Sequence, residues 1–172
     1  MKRLTLAATL STSGLMLMGA APLAPGDLTV SIALPRISSA SYHRPYVAVW
    51  IERPDQTAVR TLSVWYDTGL PAGEGKDWLK DIRTWWRKDG RNLTLPADGV
   101  SGPTRAPGTQ TVTIPASRLR DLPAGNYVLA VEAARELGGR ELVRVPFRLG
   151  AANTASGTGE TELGAVRISV AR

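Results

Sequence analysis

The stretch Tyr46-Val47-Ala48-Val49-Trp50-Ile51-Glu52, followed after a short gap by the run from Ala58 to Tyr66, decides the fold class. Both runs are rich in β-branched and aromatic residues, which favour strands. In the second run, Leu62, Val64 and Tyr66 recur at every second position and are expected to share one face. Pro54-Asp55-Gln56 between the runs is a turn signal. Residues 46–66 are therefore predicted to form a β-hairpin.

The same alternation of apolar and polar residues predicts strands elsewhere in the chain. These strands cover residues 27–34, 110–115, 126–134, 142–149 and 166–170. The segment 150–164 is poor in large apolar residues and rich in Gly, Thr and Ala, so we predict a mobile loop there. About seven short strands with Pro/Gly turns indicate an all-β fold, an immunoglobulin-like antiparallel β-sandwich.

One segment has helical periodicity instead. The apolar residues there are spaced i, i+1, i+4, i+7 and i+8, and they are Trp78, Leu79, Ile82, Trp85 and Trp86. This spacing predicts one short inserted α-helix over about residues 77–87, with Asp77 as its N-terminal cap. We expect its tryptophans to pack the helix onto the sandwich, because large aromatic side chains dominate core burial.

The N-terminal residues are typical of a secretory signal peptide. Met1-Lys2-Arg3 is positively charged, a mostly apolar run follows, and small residues stand near position 20. The run is short and broken by Ser and Thr, which fits a retained membrane anchor less well. We predict a signal peptide at 1–24, a single β-sandwich domain at 25–172, export to the periplasm, and no membrane span after cleavage.

Composition excludes several kinds of chemistry. The 172 residues contain no Cys and one His, and the net charge is +6. Without Cys there is no thiol catalysis or iron–sulfur cluster, and zinc sites normally need several His or Cys ligands. His43 lies in a serine-rich loop with no partner His, so a hydrolytic triad is poorly supported. The basic residues are scattered, which gives no indication of nucleic-acid binding. Glu132 and Glu136 flank Arg135, and we interpret them as an ion pair at a sheet edge.

The central stretch Asp98-Gly99-Val100-Ser101-Gly102-Pro103-Thr104-Arg105 combines hydroxyl, acidic and basic groups with turn-forming residues. We predict an exposed tight loop that presents Ser101 or Thr104 outward. The composition alone favours an ordinary surface turn.

An ordered set of segments resembles the predicted-periplasmic family catalogued as domain of unknown function 2271. The resemblance covers about residues 27–172. The segments that carry it are Tyr46 to Glu52, Val59 to Trp65, Trp78-Leu79 with Trp85-Trp86, Ser101 to Gly108, Gly125-Asn126-Tyr127, and Val131 to Gly138. Two positions depart from the family pattern: Pro103 replaces the usual alanine, and Leu137 stands where histidine is common.

The resemblance implies a function for Thr104. Members of this family have no established activity, and many are encoded near exported flavin-transfer and membrane electron-transfer proteins. The family motif implies FMN attached through a phosphoester to Thr104, in a site that includes Ser101 and Gly102. By this reasoning Asp98 would serve recognition by the transferase, and Arg105 would pair with the tethered phosphate. Trp85, Trp86 or Trp50 would stack on the flavin ring.

Two functions follow from these observations. The first is a covalently flavinylated electron carrier, whose partners would be an exported FAD-dependent FMN transferase and a membrane electron-transfer protein. The second is an unmodified immunoglobulin-like module for binding or assembly in a periplasmic complex. In either function the protein is a carrier or a binding module and not a catalyst.

Overall fold

The computed structural model of the protein describes residues 26–171 and consists mainly of nine β-strands. The predicted signal peptide at 1–24 lies outside these residues. The strands are β1 Leu28–Leu34, β2 Tyr46–Glu52, β3 Ala58–Tyr66, β4 Ser101–Pro103, β5 Gly108–Ile114, β6 Gly125–Ala134, β7 Arg140–Leu149, β8 Asn153–Thr158 and β9 Ala165–Val170. They form two sheets, so the predicted all-β sandwich is confirmed, with nine strands instead of about seven.

The two sheets have different strand compositions. The four-stranded sheet has the order β5-β1-β9-β8, and the five-stranded sheet has the order β4-β3-β2-β6-β7. Every pairing is antiparallel except that of β3 with β4, which is parallel and corrects the expectation of a purely antiparallel sandwich. β1 and β9 pair with each other, so the two ends of the described chain meet in one sheet.

The main core lies between the two sheets. Alternate residues of β1, β5 and β9 face the inner residues of β2, β6 and β7, as the period-two patterns predict. The largest side chain of this core is Trp65, whose indole Nε1 donates to the Ser63 hydroxyl at 2.9 Å. The indole N–H is thereby satisfied within the core.

The alternation of side chains between the two faces of the sheet is reversed midway along strand β3. The register with β2 shifts at Val49/Trp50, so that Val49 pairs with Ser63 and Trp50 pairs with Thr61. Leu62 falls at this bulge and joins the core between the sheets, whereas Val64 and Tyr66 pack on the outer side. The prediction that Leu62, Val64 and Tyr66 share one face is therefore wrong, because an extra residue reverses the alternation.

A helical layer covers the outer face of the five-stranded sheet. It consists of a 3₁₀ segment Pro71–Asp81, the helix α1 Arg83–Lys88, and a 3₁₀ turn Gly90–Asn92. The predicted single helix at 77–87 is thus broken at Ile82, whose ψ of 71° is not helical. Asp77 lies inside the first segment and does not cap a helix. Among residues 26–171, no helix has the length and apolar character that a bilayer crossing requires.

Two fully buried glutamates anchor α1 to the sheet. Glu132 on β6 accepts hydrogen bonds from the backbone N–H groups of Thr84 and Trp85, at 3.0 and 2.9 Å, and pairs with Arg140. A carboxylate at a helix N-terminus satisfies unpaired amides there. The sequence predicts that Glu132 forms an ion pair with Arg135 at a sheet edge. That prediction is wrong, because Glu132 pairs with Arg140 instead. Register, which local sequence does not reveal, brings it under α1.

Glu52 on β2 holds the other end of the helix. It accepts from the Trp50 indole and from Arg144 Nε, both at 2.9 Å, and from Lys88 Nζ. Burial alone would raise the pKa of Glu52, but these three hydrogen bonds outweigh it, so the pKa of Glu52 lies below its usual value. The carboxylate stays ionised between α1 and β7.

Residues 150–164 are not a mobile loop throughout. Asn153–Thr158 forms β8, which pairs with β9 over its whole length. A Cβ on Gly157 would lie 3.1 Å from Val145 Cγ2 and 3.2 Å from Val143 Cγ1. Small residues in β8 thus allow close approach to β7, and this packing overrides the low strand propensity of Gly and Ala.

Glu141 fixes the turn that follows β8. Its carboxylate accepts hydrogen bonds from the backbone N–H groups of residues 160, 161, 162 and 163. Partial burial would raise the pKa of Glu141, but these four bonds lower it overall.

A carboxyl group with a depressed pKa stabilises the fold above its unfolded-state pKa, and this contribution is lost as pH falls through its folded-state pKa. We expect the unfolding free energy, measured by urea titration between pH 7 and pH 3, to fall below pH about 4.3, the ordinary glutamate pKa. Glu141→Gln should be less stable at pH 7 and should show a shallower fall. Parallel curves for both proteins would contradict this assignment.

Candidate functional site

A cleft of about 640 Å³ opens at one end of the outer face of the five-stranded sheet. The register aligns one row of residues across all five strands at this end, and the row is Pro103, Tyr66, Tyr46, Ala134 and Arg140. The helical layer forms one wall through Leu70, Trp78 and Arg83. The other wall comes from the loop at residues 42–44 and the turn at residues 135–139. Strand ends therefore form the floor, and loops form the walls.

Two exposed apolar side chains line this cleft. Trp78 is 54% exposed and Leu137 is 82% exposed, and they are the only exposed large hydrophobic residues within 26–171. Both line the cleft. Leu137 also has a φ of 53°, a left-handed conformation that is uncommon for residues other than Gly. Exposed apolar side chains that gather at a concave site are typical of ligand binding.

Thr104 is one of the residues that line this cleft. It follows β4 directly, and its backbone N–H donates to Tyr66 O at 3.1 Å. The residue is half-buried and lines the cleft. It does not project from a tight turn, because the preceding Ser101–Pro103 forms the edge strand β4. The expected loop is therefore an edge strand, and Thr104 lies at its end, outside the core between the sheets.

Three neighbours that the family motif groups with Thr104 do not line the cleft. Ser101 Oγ accepts a hydrogen bond from Ala97 N at 3.0 Å, which closes the turn before β4. Asp98 is exposed in that turn. Gly102 pairs with Trp65 of β3. Ser101 thus stabilises the turn that precedes β4.

Arg105 makes its contacts outside the cleft. Its guanidinium carbon lies 4.1 Å from the centre of the Trp65 ring, and Nη1 donates to Thr111 O at 3.1 Å. Burial lowers the pKa of Arg105. The stacked aromatic ring offsets part of the cost of burying the charge. The guanidinium of Arg105 is thus held by Trp65 and Thr111, and Arg105 does not line the cleft.

The tryptophans predicted to stack on a flavin lie elsewhere. Trp50 and Trp85 are fully buried, and their indole N–H groups donate to Glu52 and to Thr61. Trp86 is half-buried and packs against Trp85, with ring centres 6.2 Å apart. Trp78 is the tryptophan that lines the cleft. The helical segment is broken at Ile82, so its two halves have different orientations. The apolar residues that helical spacing places on one face therefore lie on different faces.

The turn between β6 and β7 is built on Arg135. Arg135 Nε and Nη2 donate to the two carboxylate oxygens of Glu162, at 2.9 and 3.0 Å. Gly139 N–H donates to the same carboxylate at 2.7 Å. A Cβ on Gly138 would lie 2.4 Å from Arg135 Cζ, so a side chain there would displace the guanidinium from Glu162. The Tyr42 ring lies near the guanidinium, 5.8 Å from ring centre to Cζ.

Charges of both signs surround the cleft. Burial raises the pKa of the Tyr46 phenol, and the carboxylates of Asp67, Glu136 and Asp81 raise it further. Tyr46 therefore remains a neutral donor at physiological pH. His43 Nδ1 lies 3.3 Å from Glu136 Oε2, which connects the loop at residues 42–44 with the turn at residues 135–139.

Sequence reasoning identified Thr104 but missed most of the cleft. Tyr42, Trp78 and Arg135 come from three separate segments, and only the register of β2 and β6 and the path of the helical layer bring them together. One signal was available: Leu137 is an apolar residue in a Gly-rich turn, where polar residues are usual. In the part of the chain that the structure describes, no three His, Asp or Glu side chains gather as metal ligands.

Comparison with known proteins gives one match. The sequence model of the family described as "Predicted periplasmic protein (DUF2271)" matches residues 27–165. This range includes every residue named in the cleft, and the periplasmic location predicted from the N-terminus agrees with the description of the family. No protein with a curated description matches the chain, and no solved structure matches it.

Proposed function

We propose that this chain, which belongs to the predicted periplasmic family DUF2271, is a periplasmic carrier of FMN, attached through a phosphoester to Thr104 Oγ1. One observation carries the proposal. Thr104 lines the same cleft as Trp78 and Leu137, the two large apolar side chains exposed within residues 26–171. A cleft of about 640 Å³ is within the usual range for a ligand of this size.

The side chains present fit the proposed group. Trp78 offers an exposed aromatic face, and Tyr42 and Tyr46 add aromatic edges at the floor and wall. Arg135 supplies a buried guanidinium whose Nη1 has no hydrogen-bond partner among the described residues. An aromatic surface with a free cationic donor suits a planar ring that carries polar oxygens. When bound, the flavin would supply the electron transfer.

The attachment needs a second enzyme, and its chemistry balances. Thr104 Oγ1 forms a bond to the FMN phosphorus of FAD, and the pyrophosphate bond breaks. AMP leaves, and the hydroxyl proton passes to a base of the exported FAD-dependent FMN transferase. Because Thr104 follows an edge strand and is half-buried at an open cleft, another protein can approach it from the side of the sheet. A membrane electron-transfer protein is the proposed redox partner.

The full chain, exported together with an FMN transferase of this class, should gain the mass of FMN less one water. Thr104→Ala should abolish this adduct, because Thr104 is the only serine or threonine among the cleft-lining residues within 26–171. Thr109→Ala is the matched control, since Thr109 is an exposed threonine on β5 outside the cleft. Intact mass and flavin absorbance measure the result. An adduct that survives Thr104→Ala, or the absence of an adduct on the unchanged protein, would contradict the proposal.

A second function is favoured by the exposed pair Trp78 and Leu137. Such side chains also occur at the centres of protein interfaces. The protein would then be an unmodified binding module that takes a partner into the cleft. A colourless protein that co-purifies with a stable partner, and loses it on Trp78→Ala, would support this function over the first.

A further inference from the structure

Arg135 lines the cleft, and one of its buried donor atoms has no hydrogen-bond partner among the described residues. The side chain of Arg135 is 7% exposed, and Glu162 occupies its Nε and Nη2. Nη1 is the only buried side-chain nitrogen or oxygen within residues 26–171 that lacks a hydrogen bond. Leaving such a donor unsatisfied costs about 1–3 kcal/mol, and more for a charged group. Native structures rarely keep such a group without a reason.

Arg135 and Thr104 line the cleft on opposite sides of strands β3 and β2. In the strand order β4-β3-β2-β6, Pro103 lies in the same row as Tyr66, Tyr46 and Ala134. Three strand spacings separate Pro103 from Ala134, which is about 14 Å. Thr104 and Arg135 follow these two residues directly, and both line the cleft. A single phosphate group attached to Thr104 does not extend over this distance.

We propose that Arg135 Nη1 donates a hydrogen bond to an oxygen acceptor of the ligand, at the end of the cleft remote from Thr104. This inference deepens the proposed function and rests on its assignment of the cleft as the flavin site, but it does not require the ester. For a flavin whose phosphate is at Thr104, the acceptors at the far end are the carbonyl oxygens of the pyrimidine ring. Arg135 is then a recognition residue for the ring.

The scaffold around Arg135 supports this role. Glu162, Gly139 and the close contact with Gly138 fix the guanidinium in one orientation before any ligand binds. A donor held in this way loses little conformational entropy on binding. Arg83 and Arg44 also line the cleft, but both are exposed and remain solvated. Arg135 is therefore distinguished by burial and fixation rather than by charge alone.

The test uses the full chain with Thr104→Ala, which cannot form the ester, and riboflavin, which has no phosphate. Riboflavin should bind, as measured by quenching of its fluorescence. Arg135→Lys keeps a positive charge beside Glu162 but lacks the second donor, and we expect it to weaken binding about tenfold, the effect of losing one hydrogen bond of a charged group. Arg87→Lys is the matched control and should leave riboflavin binding within about twofold, because Arg87 is an exposed arginine on α1 outside the cleft.

Two further measurements keep the inference falsifiable if Arg135→Lys folds poorly. With Arg135 intact, the ¹³C signals of riboflavin labelled at its two pyrimidine carbonyls should shift downfield on binding, and the ¹⁵Nη signal of Arg135 should shift as well. Inorganic phosphate should not displace riboflavin. Absence of these shifts, displacement by phosphate, or no binding of riboflavin at all would overturn the inference. A mass adduct on Thr104 together with any of these results would leave the proposed function standing.

Discussion

Replacing Glu132 with alanine is expected to lower the free energy of unfolding by about 3–4 kcal/mol, from the loss of a buried hydrogen-bonded charge. The backbone N–H groups of Thr84 and Trp85 would lose their acceptor inside the protein. Arg140 adds less, since its side chain is 39% exposed and can turn to water. Urea unfolding followed by tryptophan fluorescence measures the change.

The control for Glu132 is Glu136→Ala on the same segment of chain. Its side chain is 70% exposed, so the unfolding free energy should change by no more than about 0.5 kcal/mol. Hydrogen exchange at Trp85 N–H should also accelerate in Glu132→Ala, because α1 loses its attachment to the sheet. If Glu132→Ala costs under about 1 kcal/mol, the carboxylate does not anchor the helix.

Glu162→Ala should be at least as damaging, with a loss of about 3–5 kcal/mol. Arg135 and Glu162 are 7% and 4% exposed, so removing the carboxylate leaves a largely buried guanidinium without its counter-charge. Gly139 N–H loses its acceptor too. The expected result is a lower urea midpoint and increased proteolysis at the 135–139 turn.

A double variant separates the ion pair from the packing. Replacing both members of a buried pair with apolar residues often recovers stability, because no uncompensated charge remains. Arg135→Met combined with Glu162→Leu should therefore be more stable than Glu162→Ala alone. Equal or greater destabilisation of the double variant would mean that the shape of the turn, and not the buried charge, sets the cost.

The sequence predicts the sandwich well because alternation is a local signal. Leu28, Val30, Ile32 and Leu34 are all buried in β1, as their spacing requires. β8 escaped prediction because its small residues carry little pattern, and its partners β9 and β7 supply the stabilisation. The bulge at Leu62 is equally invisible, since an inserted residue in a strand has no sequence mark of its own.

The candidate site could be predicted only in part. Thr104 was found through its motif, and its position in the cleft leaves that prediction open to experiment. The tryptophans were assigned by helical spacing, which fails where Ile82 interrupts the helix. The short spacing of Glu132 and Arg135 in the sequence predicts that they form one ion pair. In the structure they have different partners, Arg140 and Glu162, which are close only through register and turn geometry.

Pro103 has a consequence for how copies of the protein behave toward one another. β4 is a sheet edge of only three residues, and Pro103 offers no N–H to an incoming strand. Short edges interrupted by proline resist the pairing that leads to aggregation. The proline that replaces the common alanine thus protects this border of the sheet from self-association, and in a crowded periplasm it keeps the neighbouring threonine from being covered by another copy.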